Sequence, residues 1–314
     1  MTRGLVTVFG GSGFIGRYVV QRLARAGWQV RVAVRRPNEA LFLKTSGDVG
    51  QVTPIAANIR DDRSVAAAIA GADVVINMVG ILYQSGKQRF DAVQTKGASR
   101  LAAAAQAAGA TRFIQISAIG ADPASASLYA RTKAEGEQGV HRAFPGATIL
   151  RPSIVFGPED DFFNRFARLA MMSPALPLIG GGGTKIQPVY VGDVAAAVEK
   201  ALNDPTSGGK IYELAGPRVY TFRALMEMLL KEIGRCRLLL PIPFALASLK
   251  AAFLQLLPIP LLTVDQVRML KRDNVPTPSA LGLQELGIVP TTLESVLPTY
   301  LDQYRPLGYY NRAG

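Results

Sequence analysis

Val6-Thr-Val-Phe-Gly-Gly-Ser-Gly-Phe-Ile-Gly16 reads as a short β-branched strand running directly into a glycine-rich turn. Gly10, Gly13 and Gly16 stand three residues apart, and the amphipathic stretch Arg17 to Ala26 predicts a helix immediately after them. Each part has a physical use. Glycine allows a tight turn and a close approach of the backbone to a pyrophosphate, while the helix N-terminus offers free N–H groups and a positive dipole end. Gly11, Gly13 and Gly16 also satisfy the tighter Gly-x-Gly-x-x-Gly spelling. That spelling alone is weak evidence; a strand before it and a helix after it make it a dinucleotide-binding turn, against the blander reading of a glycine turn with no ligand.

The rest of the chain sets bounds on this reading. The 314 residues accommodate one large α/β unit or a core with a smaller lobe, and 49% hydrophobic residues supply a substantial interior. One cysteine, Cys236, and one histidine, His141, leave no disulfide framework and predict no multi-ligand metal site. The formal charge is +12, of which +9 falls within residues 1–150. Such a balance attracts phosphate-bearing partners, but no Lys/Arg run interleaved with aromatics appears, so nucleic acid is not expected. No stretch of 18 apolar residues predicts a membrane span, and the strand close to Met1 leaves no signal or transit peptide to be expected.

Strand and helix alternate through the first half. Strands are predicted at Gln29–Val34, Val52–Ala56, Val74–Val79, Phe113–Ser117 and from Thr148, with helices over Asp62–Ala70, Asp91–Ala108 and Ser127–Phe144. Continuous apolar strands alternating with helices specify an α/β fold, a Rossmann-type doubly wound parallel sheet. After Gly157 prolines and glycines multiply and the strands thin out. The expected organisation is a dinucleotide-binding domain over 1–157, to which 186–214 returns, and a smaller C-terminal lobe within 158–314.

A carboxylate about 20 residues after the glycine motif holds a ribose 2′-hydroxyl in NAD-selective sites. Here Arg35 and Arg36 stand at that point, and the first carboxylate after them is Glu39. Arginine suits a 2′-phosphate, at about 1.5–3 kcal/mol per charge-assisted bond, which favours NADPH over NADH by one to two orders of magnitude. Arg17, directly after Gly16, is a third candidate; a solvated basic loop is the alternative.

Twelve residues after Ser117, at a predicted strand end, comes Tyr129-Ala-Arg-Thr-Lys133. Tyr and Lys at i and i+4 share a helix face, from which the ammonium lowers the phenol's pKa and grips the nicotinamide ribose while the serine polarises a carbonyl. With these residues in place the chain resembles the extended or atypical short-chain dehydrogenase/reductase superfamily over nearly its whole length. The resemblance rests on Gly10, Gly13, Gly16, Ser117, Tyr129 and Lys133, on Arg151-Pro-Ser-Ile-Val-Phe-Gly-Pro158, and on Pro188-Val-Tyr-Val-Gly-Asp193. It implies a cofactor-binding set completed by Phe14, Ile15, Asn58, Val79, Gly80, Pro152 and Ile154. Gln94, where the extended enzymes carry Asn, and Gln187-Pro188, where nucleotide-sugar enzymes carry an Arg, depart from the pattern and weaken a sugar-nucleotide epimerase reading.

Phe156-Gly-Pro-Glu-Asp-Asp-Phe-Phe-Asn-Arg-Phe166, Gln187 to Asp193, the apolar stretch Leu238 to Leu262 and Leu281-Gly-Leu-Gln-Glu-Leu-Gly-Ile288 resemble a narrower family, the NADPH-binding accessory subunits of respiratory complex I. That resemblance implies NADPH held structurally rather than turned over. It also implies complex I subunits as partners, at the junction of peripheral arm and membrane, and a peripheral place on the cytoplasmic side of an inner membrane. Leu238 to Leu262 carries one charge, Lys250, and a helix is predicted over Phe244–Leu257, too short to span a bilayer. It reads as lobe core, an interfacial helix or a docking surface. The competing reading of the whole chain is an active NADPH-dependent reductase or epimerase using Ser117, Tyr129 and Lys133.

Overall fold

A computed structural model describes residues 3–255, 257, 260 and 262–306. In chain order the first half runs through β1 (Leu5–Phe9), α1 (Phe14–Arg25), β2 (Gln29–Val34), β3 (Val52–Ala56), α2 (Asp62–Ile69), β4 (Val74–Asn77), α3 (Lys96–Ala107), β5 (Arg112–Ile116), α4 (Leu128–Ala143) and β6 (Thr148–Pro152). The second half adds α5 (Phe163–Met172), β7 (Ala175–Ile179), α6 (Val191–Asn203), β8 (Ile211–Leu214) and α7 (Phe222–Glu232). It closes with β9 (Leu238–Ile242), α8 (Phe244–Leu254), α9 (Val264–Met269) and α10 (Leu293–Leu301).

The chain forms two compact units. The first, residues 1–152, 192–213 and 279–288, is built on a seven-stranded sheet in the order β8-β6-β5-β4-β1-β2-β3. The pairings from β6 to β3 are all parallel. Val6, Val8, Val30, Val32, Val75 and Ile76 are fully or almost fully buried, as parallel strands covered on both faces require. Pro54 cannot donate a ladder bond and sits in β3, the edge strand. The order reverses between β1 and β4, so a crevice opens at the carboxyl ends of those two strands, where doubly wound sheets take their ligands.

Against the expected boundaries, this unit stops at 152 rather than 157, takes back 192–213 rather than 186–214, and also recruits 279–288. The last piece is held by a parallel bridge from Tyr212 to Leu281 and by the Glu213 N–H donating to the Leu281 carbonyl at 2.8 Å. The expected helix Asp91–Ala108 is divided in two: it opens with a π-turn, Asp91–Thr95, before α3.

The second unit, residues 153–191, 214–278 and 289–314, has its own core, in which Phe156, Phe163, Leu176, Phe222, Leu225 and Leu297 are buried. Phe162, Phe163, Phe166 and Phe222 meet edge-to-face with centroids 5.0–6.1 Å apart, a geometry that adds to area burial. β9 runs parallel to β7, and α8 packs beside α9 with only Ala247 and Ala251 buried. α8 stops at Leu254, short of the expected Leu257. No helix among the described residues is long and apolar enough to cross a membrane.

Candidate functional site

The turn after β1 explains its glycines one by one. Gly10 has φ +77°, and an added Cβ would lie 3.2 Å from the Met78 carbonyl carbon and the Val79 nitrogen, so this turn packs directly on the segment following β4. At Gly16 a Cβ would fall 2.5 Å from the Gly10 oxygen and 2.7 Å from the Gly11 Cα, main-chain atoms with nowhere to go. Gly13 differs. Its φ is −71°, its added Cβ meets only the Gly10 oxygen, at 3.3 Å, and the side facing away from the protein stays open. Gly13 caps α1 with no side-chain bond, and the first turn carries no acidic residue. The free N–H groups and positive dipole end therefore face that open side without an internal anion. Phe14 and Ile15 begin the helix half-buried, Phe14 edge-on to Tyr18 at 6.2 Å.

Arg35 and Arg36, directly after β2, are exposed. Arg35 lines a hollow of about 290 Å³ with Ala56, Ala57, Asn58 and Ser64. Asn58 holds this wall in shape: its N–H donates to Ser64 Oγ at 2.9 Å and its Oδ1 accepts from the Arg60 N–H at 3.1 Å. Arg36 points elsewhere, pairing with Glu39 at 2.9 Å in a well-exposed contact worth at most about 1 kcal/mol. The Arg17 guanidinium lies over the Phe42 ring, 5.2 Å from its centroid.

Ser117, Tyr129 and Lys133 lie in the first unit, at the end of β5 and on the first turns of α4. Lys133 is buried; its Nζ donates to the Ile116 carbonyl at 3.2 Å and would sit 3.5 Å from a Cβ built on Gly80. This ammonium therefore joins the ends of β4 and β5. Its distance to the Tyr129 ring centroid is 5.9 Å, and Phe90 meets the same ring edge-on at 5.8 Å. Burial pushes the Tyr129 phenol up to about 12 and pulls Lys133 down to about 8, with Glu137 raising the lysine back. For the tyrosine, desolvation by burial sets the direction, opposite to the expected lowering. Ser117 Oγ is buried and bonded to none of the described residues, while the Ser117 N–H donates to the Leu150 carbonyl at 2.7 Å. A buried hydroxyl without a partner costs about 1–3 kcal/mol, a cost that a polar ligand at this spot removes.

Pro152 ends β6, its carbonyl accepting from the Ile119 N–H at 3.0 Å. Ile154 belongs to the second unit, where its N–H donates to Asn274 Oδ1 at 3.1 Å. Gln187 is there too, its amide donating to the Gly216 carbonyl at 2.6 Å; no guanidinium stands in its place to take a diphosphate.

Sequence reasoning passed over the amides that shape the crevice. Asn77 and Gln115, each at most 4% exposed, bond across β4 and β5 at 2.8 Å, and Asn77 Oδ1 accepts from the Val79 N–H at 3.0 Å. Their signal was an amide at the end of the otherwise apolar β4 and another between Ile114 and Ile116 of β5. Gln94, seen only as a departure from a pattern, is a working clamp. It donates to the Ile81 carbonyl at 2.8 Å and accepts from Thr132 Oγ1 at 3.0 Å, tying the Val79-Gly80-Ile81 segment to the helix that carries Lys133.

Residues 6–215 match the model of the NAD dependent epimerase/dehydratase family. Over 97% of its length the chain is 40% identical to the Arabidopsis thaliana mitochondrial NADH dehydrogenase [ubiquinone] 1 alpha subcomplex subunit 9, covering 79% of that protein. It is 35% identical to the Neurospora crassa mitochondrial NADH-ubiquinone oxidoreductase 40 kDa subunit, over 97% of this chain and 80% of the relative. A ceramide reductase of Caulobacter vibrioides is 34% identical over 72% of this chain and 69% of its own. A glycine turn at the switch point of a parallel sheet and likeness running through both units agree: the chain belongs to the NAD dependent epimerase/dehydratase family, in the extended short-chain dehydrogenase/reductase superfamily, and its relatives there include these complex I subunits.

Proposed function

We propose that this chain is an accessory subunit of a membrane-bound NADH:quinone oxidoreductase, that its first unit holds one NADPH structurally, and that its second unit docks where the peripheral arm meets the membrane. The observation that carries this reading is likeness to complex I subunits across 97% of the chain, second unit included.

The residues present fit the cofactor. The open face of Gly13 and the uncapped N-terminus of α1 suit a pyrophosphate, with Gly10 and Gly16 permitting the turn and Phe14 and Ile15 flanking it. Arg35, walled by Asn58, suits the 2′-phosphate that separates NADPH from NADH. Val79 and Gly80 present main chain to the dinucleotide. Lys133 and Tyr129 hold the nicotinamide ribose, with Ser117 and Pro152 close by in the chain's order of strand ends. The bound nicotinamide supplies a hydride when a carbonyl reaches it. Against turnover stands Tyr129, whose phenol is pushed up to about 12 and makes a poor proton donor at neutral pH.

For docking, α8 buries Ala247 and Ala251 and leaves three large side chains outward: Leu246 is 45%, Leu249 58% and Phe253 69% exposed. Covering these three gains about 3–5 kcal/mol at the usual value of about 1.5–3 kcal/mol per fully buried large apolar side chain. Leu238 and Leu240 of β9 are exposed as well.

A second reading, an NADPH-dependent reductase, is favoured by the unpartnered Ser117 hydroxyl and by the ceramide reductase relative. Gel filtration of the purified chain separates the two. The accessory reading expects NADPH to stay bound through the column and to resist oxidation by added carbonyl compounds. Rapid, substrate-dependent NADPH oxidation would establish the reductase.

A further inference from the structure

Behind Lys133 the buried charges of the first unit form an alternating row. Glu137 follows one turn later on α4, and both residues are 6% exposed. Arg151 on β6 grips Glu137 through both oxygens, Nε to Oε1 at 2.9 Å and Nη2 to Oε2 at 2.6 Å, and reaches Glu213 on β8 at 3.2 Å. The sequence of charges is positive, negative, positive, negative. Arg151 shares its charge between two carboxylates, and Lys133, one turn from Glu137 on the same helix, adds a second positive charge to the row. An uncompensated buried charge costs several kcal/mol, so the row is strongly coupled.

The surroundings of Lys133 offer no other counter-charge among the described residues. From β5 it meets the Ile116 carbonyl, and from the segment after β4 the main chain at Gly80. Tyr129, on its own helix, is a neutral phenol. Asp91 on the π-turn is exposed and paired with Lys96, while Glu135 faces outward and accepts from Thr95.

We propose that Glu137, oriented by Arg151, is a positioning residue for the dinucleotide: it keeps Lys133 charged and aimed at the crevice, so that cofactor retention depends on a carboxylate that does not reach the cofactor. This rests on the reading that Lys133 holds NADPH. Geometry and charge agree with the titration: burial pulls the lysine down to about 8, and Glu137 is what raises it. Without that carboxylate the amine is neutral at lower pH and loses its pull on the ribose oxygens. The phosphates of a bound dinucleotide act on variant and native chain alike, so the informative quantity is the difference between them.

The test follows the fluorescence of bound NADPH on the full chain between pH 6 and 10. The native chain is expected to release NADPH on the alkaline side, and Glu137→Gln to do so about one pH unit lower, with about fivefold weakening at pH 8 and little change at pH 6. Glu137→Asp, which keeps the charge and a carboxylate for Arg151, should fall between the two; it carries the test if the glutamine variant does not fold. Alkaline midpoints in the variants equal to the native one would overturn the proposal while leaving NADPH binding intact. A native chain that holds no NADPH at any pH would overturn the cofactor reading and this proposal with it.

Discussion

Substituting Gly13 and Gly16 one at a time by alanine separates a glycine needed for folding from one needed by a ligand. At position 16 the new Cβ would meet three main-chain atoms at 2.5–2.8 Å, two of them in Gly11. Overpacking of this kind costs about 1–3 kcal/mol, and contact with backbone rather than a flexible side chain puts it at or beyond the top of that range. Helix propensity returns about 1 kcal/mol, since position 16 lies in α1. The net loss is about 2 kcal/mol, a fall in Tm of about 4–8 °C. Gly13→Ala meets one atom at 3.3 Å, with an ordinary negative φ. Its cost is the weaker capping by alanine, at most about 1 kcal/mol, or about 2–4 °C. Yet its methyl group occupies the open side of the turn, where the pyrophosphate is proposed to lie. Thermal denaturation of the nucleotide-free chain should therefore rank Gly16→Ala below Gly13→Ala, while NADPH binding to Gly13→Ala falls at least tenfold. A Gly13→Ala chain that binds NADPH as the native chain does would refute the assignment of this turn to the pyrophosphate.

Arg35→Glu should lower affinity for NADPH about tenfold to a hundredfold and leave NADH almost untouched in a titration by quenching. Arg36→Glu should do much less, because that side chain is already engaged by Glu39. Replacing Leu249 and Phe253 together by Asp should leave the melting temperature within about 4 °C, since exposed substitutions stay within about 0.5 kcal/mol each. The same pair should detach the chain from membranes in a flotation assay; Leu256, the other candidate for such a test, lies outside the described residues. Lys133 gives a pH signature in the nucleotide-free chain. Its folded pKa of about 8 lies below the ordinary 10.5, so between those values the unfolded chain binds more protons and stability should rise with pH. Lys133→Met should flatten that rise, as read by denaturant midpoints at pH 7.5 and 10.

What the sequence disclosed was local. The strand-turn-helix around Gly10, the arginines after β2 and the i, i+4 pair Tyr129 and Lys133 are each legible within a dozen residues, because their spacing is itself the chemistry. The long-range pairings were not legible. Nothing near Glu137 announces Arg151 and Glu213, and nothing in 279–288 shows that Leu281 bridges to Tyr212. The apolar stretch after Leu238 left core and surface equally open, since α8 is apolar on nearly every side, Lys250 apart, and only packing shows that Ala247 and Ala251 form the buried face. Gln94 looked like a defect in a pattern because its partners, Ile81 and Thr132, lie 13 and 38 residues away.

Whether the native protein travels with a large membrane assembly is the most direct test of an accessory subunit that holds NADPH. After gentle solubilisation, blue-native electrophoresis should show the chain migrating with a large NADH-oxidising assembly, and a denatured extract of that band should yield about one NADPH per chain. A small species free of the assembly, exchanging its nucleotide readily, would contradict it.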